Sequence, residues 1–474
     1  MEQILLPLLL QLTVIILTAR LFAVLFRYLR QPGVVGELFA GLVLGPSVLG
    51  KLFPGLFAAI FHPTTLVGQQ GVSDQIVGWC FTSLSQIGLI FLLFLIGLEF
   101  DFGHLRWQGR SALAISLAGI VAPFTLGFAL AWGIHPSVAE DIPRSAFALF
   151  LGTTLAITAM PVLGRIMIEL NITRTRLGLV TMSAAAADDA VGWVLLAAVT
   201  AFARAQFEAT TIVLIATKLL IFALAMIFVV RPLLCRWARW SADGVSSQIQ
   251  RVGSELPASA AESLQSEGSA TAQEPDGSSP GPTAMHQGEM SLNALAILLA
   301  LIFGCALTAQ AIGLFAVFGS FLLGVILSGQ RDFRAAVSRR LRDFVTAFFL
   351  PIFFTYTGLR TDIGSLESVQ LWGWCALVTA TATIGKFGGC GMAAWLTGYS
   401  PRESACIGVL MNTRALMALI VINIGKDLGV IPDSMFCMLV LMALFTTVMT
   451  TPVLLRVMRG TELEPYINRS GFVS

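Results

Sequence analysis

Residues 183–193 read SAAAADDAVGW, two carboxylates side by side in one of the most apolar stretches of the chain. At the centre of a membrane-spanning helix each acid costs about 2.5–3.5 kcal/mol on insertion scales. The pair therefore needs either a function or a structure that offsets this cost. The rest of the chain identifies the solvent. Its 474 residues are 56% hydrophobic and 12% charged, with a mean hydropathy of +0.83, whereas soluble domains carry about 25% charged residues. The sequence is that of an all-α polytopic membrane protein whose first partner is the lipid bilayer. A net charge of +2 without a basic stripe argues against nucleic acid as a partner. The seven cysteines, mostly in apolar runs and without CxxC pairs, read as small core residues. His62, His104, His135 and His286 fall far apart in predicted loops and suggest no metal centre.

Apolar segments able to cross about 30 Å of hydrocarbon recur near 4–26, 34–50, 77–98, 111–134, 145–169, 176–203, 209–233, 291–308, 311–328, 343–360, 370–396, 403–425 and 434–456, which predicts thirteen spans. The N-terminal run lacks a basic n-region and outlasts a signal-peptide core, so it is read as a retained first span. Arg27, Arg106, Arg174, Arg334, Arg339 and Arg456 fall on one side of this topology with most other arginines. Lys51, Arg144, Arg204, Arg360 and Lys426 fall on the other. The positive-inside rule then places the N-terminus outside and the C-terminus in the cytoplasm.

The chain divides into a first membrane half, 1–240 (spans one to seven), a linker, 241–290, a second membrane half, 291–456 (spans eight to thirteen), and a short cytoplasmic tail, 457–474. The linker is rich in Ser, Ala, Gly, Pro and acids, with Arg251 its sole Lys or Arg, and is expected to be a disordered cytoplasmic connector. The halves echo each other. GELFAGLVLG (36–45) resembles GSFLLGVILSG (319–329), with Gly36/Gly41 and Gly319/Gly324 equally spaced, and IFLLFLIGLEFD (90–101) resembles PIFFTYTGLRTD (351–362). The offset of seven spans is odd, so the second half is expected to run inverted relative to the first, as in many secondary transporters.

Inverted repeats place ion sites where paired helices are interrupted near the midplane. One interruption is predicted in TTLAITAMPVLGRI (153–166), where Pro161 removes the helical partner of the Ile157 carbonyl beside Thr158. The other is predicted in GVLMNTRALMALIVINIG (408–425), at Asn412, Thr413 and Arg414. Asp188 and Asp189 project about 100° apart on a helix, so they cannot both face one partner. The candidate buried bases are Lys218, Lys386, Arg414, Arg20 and Arg165. Lys386, mid-span among glycines in TATIGKFGGCG, is the expected counter-ion of one aspartate.

The run AITAMPVLGRIMIELNITRTRLGLVTMSAAAADDAVGWVLLA (156–197), with GELFAGLVLGPSVLG before it and GVLMNTRALMALIVINIG after, resembles the monovalent cation:proton antiporter-2 family. Within it, the sequence is similar to bacterial sodium/proton antiporters and plant cation/proton exchangers. The resemblance implies the sodium/proton antiporter fold of thirteen helices, two of them discontinuous, with a dimer domain and a mobile core domain. It implies a homodimer in a bacterial plasma membrane that exchanges Na+ or K+ for protons by elevator-like movement, without a resident cofactor. It makes Asp189 the principal cation and proton carboxylate, Asp188 the partner of Lys386, and Thr158 with the carbonyls of the first break accessory ligands. Two departures matter. Thr158 stands where some sodium antiporters carry an acid, which leaves Na+, K+ and Li+ open. The chain also ends eighteen residues after the last predicted span, an expectation against gating by an appended nucleotide-binding domain.

A carboxylate in a low-dielectric cavity can be neutralised by a proton or by a small cation, so the two exclude each other. If the site crosses only when neutralised, the two fluxes are exchanged, and Lys386 adds a second proton-linked group that would make the exchange electrogenic. Enzyme readings have less support: the YD and GxGD contexts of intramembrane aspartyl proteases are absent, as is a GxxxxGK[ST] phosphate loop. The alternative is a sodium-coupled solute symporter or a potassium-efflux protein on the same scaffold.

Overall fold

A computed structural model of the chain describes residues 2–29, 31, 33–61, 70–99, 109–173, 175–204, 217–218, 221–222, 224–232, 236, 291–312 and 316–469. The predicted linker, most of the seventh predicted span, Cys235, His62, His104 and His286 lie outside the described residues, as do the side chains of Pro161 and Arg165.

The first half comprises α1 (Glu2–Tyr28), α2 (Gly33–Leu44), the short α3 (Leu49–Leu52) and α4 (Pro54–Phe61), α5 (Gln70–Glu99), α6 (Gly109–Val138), α7 (Arg144–Ala156), α8 (Met160–Glu169) and α9 (Arg176–Arg204). The second comprises α10 (Leu292–Ala311), α11 (Ala316–Leu327), and α12 (Arg331–Phe344), which runs through a π-helical turn into α13 (Leu350–Leu359). It continues with α14 (Val369–Leu396), α15 (Pro401–Met411), α16 (Leu416–Asp427), α17 (Asp433–Val457) and α18 (Glu464–Arg469).

Among the described residues, seven helices are long and apolar enough to cross a bilayer unaided, and the α15–α16 pair, bent by 42°, makes an eighth candidate. Length and apolarity alone thus do not reach thirteen. The other predicted spans are carried by a helix that is short (α11), broken (α7 with α8), joined to an arginine-rich amphipathic segment (α12 with α13), or diluted by threonine, glycine and lysine (α14). One local expectation is corrected. His135 is not in a loop: α6 continues to Val138, and the buried imidazole Nε2 lies 2.7 Å from the Ile142 carbonyl.

The helices sort into two bundles, one of α1, α2, α5, α10, α11 and α13, the other of α6 to α9 and α14 to α17. Helices in lipid gain little by burying apolar surface from one another and associate through close packing at small residues. The glycines that echo between the halves do this. A Cβ on Gly36 would strike the Phe22 backbone of α1, and one on Gly319 the Cys305 backbone of α10. A Cβ on Gly41 would strike the Thr355 carbonyl of α13, and one on Gly324 the Phe94 carbonyl of α5. Equal spacing in the sequence thus corresponds to equal roles in packing.

This contrast is measurable. Gly41→Ala and Gly324→Ala force backbones apart and should each destabilise the protein by about 1–3 kcal/mol, the usual cost of overpacking. Gly304→Ala and Gly373→Ala, where a Cβ meets nothing within 4 Å, should melt in detergent at or above the wild-type temperature. Four equal melting temperatures would refute the packing argument.

Candidate functional site

The site is built where the two broken helices cross. α7 stops at Ala156, and the chain runs extended through Ile157 (φ −81°, ψ 138°) and Ala159 (φ −110°, ψ 85°) before α8 begins at Met160. Pro161 lies in the first turn of α8, where a missing amide hydrogen costs nothing. It therefore starts a helix instead of kinking one, and the expected interruption lies just before it, at Ile157 to Ala159. In the other half α15 ends at Met411, and α16 resumes at Leu416 after Asn412, Thr413, Arg414 and Ala415. The two interruptions touch: the Ala159 amide donates to the Thr413 carbonyl at 2.9 Å. The Thr158 hydroxyl lies 3.1 Å from the Met411 carbonyl and 2.8 Å from Asp188 Oδ2, two acceptors for one hydrogen.

The last carbonyls of α7 lack helical partners and carry the negative end of its dipole. Two fully buried cations meet them. Arg414 donates through one terminal nitrogen to the Leu155 carbonyl, with Thr154 O at 3.4 Å, and through the other to the Ala382 carbonyl at 2.7 Å. Its Nε reaches Asn412 Oδ1 at 3.4 Å. Lys386 donates to the Ala156 carbonyl at 2.6 Å, to the Gly119 carbonyl at 2.8 Å and to Asp188 Oδ2, which uses all three ammonium hydrogens. Lys386 reaches this point because α14 and α6 cross closely at glycines. A Cβ on Gly385 would sit 2.8 Å from Pro123 Cα, and one on Gly389 would sit 2.7 Å from the Ala118 carbonyl.

The adjacent aspartates have opposite surroundings. Asp188, 0% exposed, is held by Lys386, by the Ser116 hydroxyl at 2.7 Å and by Thr158. Asp189, 1% exposed, has no side-chain hydrogen-bond partner on either carboxylate oxygen among the described residues. The Met160 amide at the N-terminus of α8 faces it, with Asp188 and Lys386 within electrostatic range. One turn further along α9, Trp193 packs against Phe318 and Phe321 of α11, with ring centroids 5.8 and 5.5 Å away. The Asp189 face of α9 therefore lies on the seam between the two bundles. A carboxylate with two buried, unpaired oxygens, beside a carboxylate already neutralised, can accept one proton or one small cation.

Asp188, Asp189, Thr158, Lys386, Asn412, Thr413 and Arg414 thus converge. Thr413 contributes its backbone carbonyl, while its hydroxyl turns to the Leu410 carbonyl at 2.9 Å. Arg414 serves carbonyls, not a carboxylate. Of the other candidate bases, Lys218 is exposed, and Arg20 sits in the first bundle, 3.8 Å from Glu37. Sequence reasoning missed Ser116. Its signal was a hydroxyl one turn before Gly119 in the apolar ALAISLAG (112–119), on the helix that α14 crosses.

The transmembrane sodium/hydrogen exchanger family matches residues 13–253 and 286–457. The chain is 34% identical to Cation/H(+) antiporter 18 of Arabidopsis thaliana over 94% of its own length and 48% of the relative. It is 33% identical to Na(+)/H(+) antiporter NhaS4 of Synechocystis sp., over 94% of this chain and 95% of that one. With K(+)/H(+) antiporter 1 of Saccharomyces cerevisiae the identity is 27%, over 93% and 45%. The chain spans about half the length of the plant and yeast relatives and nearly all of the cyanobacterial one. Its fold is similar to that of the sodium proton antiporter MjNhaP1 from Methanocaldococcus jannaschii, with a TM-score of 0.58, 15% identity and coverage of 96% and 99%. With the whole site inside the matched region, the chain belongs to the sodium/hydrogen exchanger family and is a multi-pass membrane protein.

Proposed function

We propose that this chain exchanges a monovalent cation, Na+ or K+, for protons across the membrane, with Asp189 as the group that proton and cation occupy in turn. One observation carries the reading: of two adjacent buried aspartates, Asp188 is fully paired, while Asp189 has no side-chain partner among the described residues and faces only the Met160 amide. Leaving a carboxylate ionised without partners in a low-dielectric site is expensive, so Asp189 requires a neutralising ligand. The relatives named for sodium–proton and potassium–proton exchange support the same chemistry; none of those named here favours the symport alternative. Thr158 and the backbone carbonyls of the break are the accessory oxygens on offer beside it.

In this reading the second bundle carries the site past the first, and Lys386 provides a second proton-linked group, so each cycle moves net charge. Orientation follows from charge. The arginine-rich α12 marks the cytoplasmic end, and the end where Lys51, Arg360 and Lys426 gather is outside. A homodimer is part of the reading. It is supported by the exposed leucines of α1, among them Leu6, Leu17 and Leu21, and the mass of the detergent-solubilised protein decides whether a second copy or lipid covers them.

Asp189→Asn keeps the shape of the side chain but can neither titrate nor supply full charge. The variant should remain folded in detergent while cation-dependent proton flux in proteoliposomes falls to the background of empty vesicles. Wild-type flux in this variant would sink the assignment.

The role of Lys386 is tested by voltage. A potential of 100 mV biases a cycle that moves one net charge by about 2.3 kcal/mol. With the potential clamped by a potassium–valinomycin gradient and sodium as the transported ion, wild-type exchange should respond to its sign. Lys386→Gln removes a proton-linked group, so any exchange it retains should respond much less. Equal responses would make Lys386 a structural counter-ion only.

A further inference from the structure

Away from the aspartates, one polar cluster bridges the two bundles. Arg360, at the C-terminal end of α13, donates to Asp427 Oδ1 at 2.8 Å and to Asn423 Oδ1 at 3.3 Å, both on α16. The Asn423 amide donates in turn to the Thr357 hydroxyl of α13 at 3.0 Å. The Arg360 guanidinium also lies 5.9 Å from the ring centre of Phe436 on α17. α13 packs in the first bundle and α16 in the second, against α7 and α17. These hydrogen bonds therefore tie the helix after the second interruption to the opposite bundle. Lys51 and Asp362 lie at the same end: a Cβ on Gly364 would be 3.2 Å from the ammonium of one and 2.9 Å from the carboxylate of the other.

We propose that Arg360, Thr357, Asn423 and Asp427 form a latch that holds the protein closed at this end of the membrane and must part in each cycle. The inference rests on the exchange reading above. Asp189 lies on the seam between the bundles, so a path to it from the Arg360 end opens only if the bundles separate there, and these contacts cross that separation. Their exposure suits repeated breaking. The side chains of Arg360 and Asp427 are 23% and 26% exposed, so water can replace either partner. The Lys386–Asp188 pair, 0% exposed on both sides, has no such substitute and lies within one bundle. A latch that favours the closed state lowers apparent affinity for a cation arriving from its own side, because only the open fraction binds.

The test measures cation KM from each face in right-side-out and inside-out vesicles. The Arg360 face is identified by reaction of an impermeant thiol reagent with Asp433→Cys, a position whose side chain is 78% exposed. Arg360→Ala and Asp427→Ala should each lower KM at the Arg360 face relative to the opposite face by about five-fold or more, the usual scale of such coupling. Thr357→Val, which keeps shape and loses only the hydroxyl, should move the ratio the same way by less. The reversed pair Arg360→Asp with Asp427→Arg should return it toward wild type. A purely structural role would lower yield or rate from both faces and leave the ratio unchanged. An unchanged ratio in Thr357→Val and in the alanine variants, with exchange intact in the wild type, overturns the latch alone. A wild-type chain without exchange overturns the exchange reading and the latch with it.

Discussion

The structure depends on one constraint: a helix broken inside a membrane leaves carbonyls that no water can satisfy. The C-terminal end of α7 presents Thr154, Leu155 and Ala156 to the interior, and Arg414 and Lys386 supply their donors. Each cation in turn needs neutralisation. Arg414 finds the dipole end of α7 and the Ala382 carbonyl; Lys386 finds Asp188. The acid that is costly to bury is thus the counter-charge of a lysine that caps a broken helix. Removing one member of such a buried pair typically costs about 3–5 kcal/mol, because the other is left uncompensated.

That arrangement explains why there are two aspartates. Consecutive residues on a helix diverge by about 100°, so the neighbour of a fully committed Asp188 points elsewhere. Asp188 accepts from a lysine, a serine and a threonine, which leaves none of these donors for Asp189. The fixed pair establishes a site of low net charge, and the second carboxylate can then be neutralised reversibly without dismantling the break. Under the proposed exchange, a single aspartate would have to hold the helix ends and carry the ligand at once, and each change of ligand would strain the scaffold.

Much of this was legible in the sequence because it was costly. Aspartates, a lysine and an arginine inside apolar runs are improbable unless paired, and a proline or an Asn-Thr-Arg run in such a segment marks an interruption. Asp188, Lys386 and both breaks could be read for that reason. The matched glycines were legible as spacing, though only packing shows what each one admits. What could not be read depends on three-dimensional partners. Ser116 looks like any small polar residue until α14 crosses α6. Arg414 read as a possible counter-ion, yet its partners are carbonyls that the break exposes. Helix length and apolarity do not by themselves recover the thirteen expected spans for a related reason: segments such as α7, α8 and α11 rely on neighbours for polar satisfaction and need be neither long nor uniformly apolar.

The distribution of contacts between the bundles also bears on motion. Every side chain that holds Asp188 comes from the second bundle: Ser116 from α6, Thr158 from the break, Lys386 from α14. Displacing one bundle against the other leaves this network whole. The contacts that cross are of another kind. Trp193 against Phe318 and Phe321 is an apolar, non-directional surface that can be re-formed at a new register. Arg360 against Asp427 is about a quarter exposed and can be hydrated. A structure with its expensive interactions inside one body and its cheap ones along the seam is the arrangement that the proposed movement of one bundle past the other would require. Asp189, on the seam and without a side-chain partner among the described residues, is the group whose surroundings such sliding would change most.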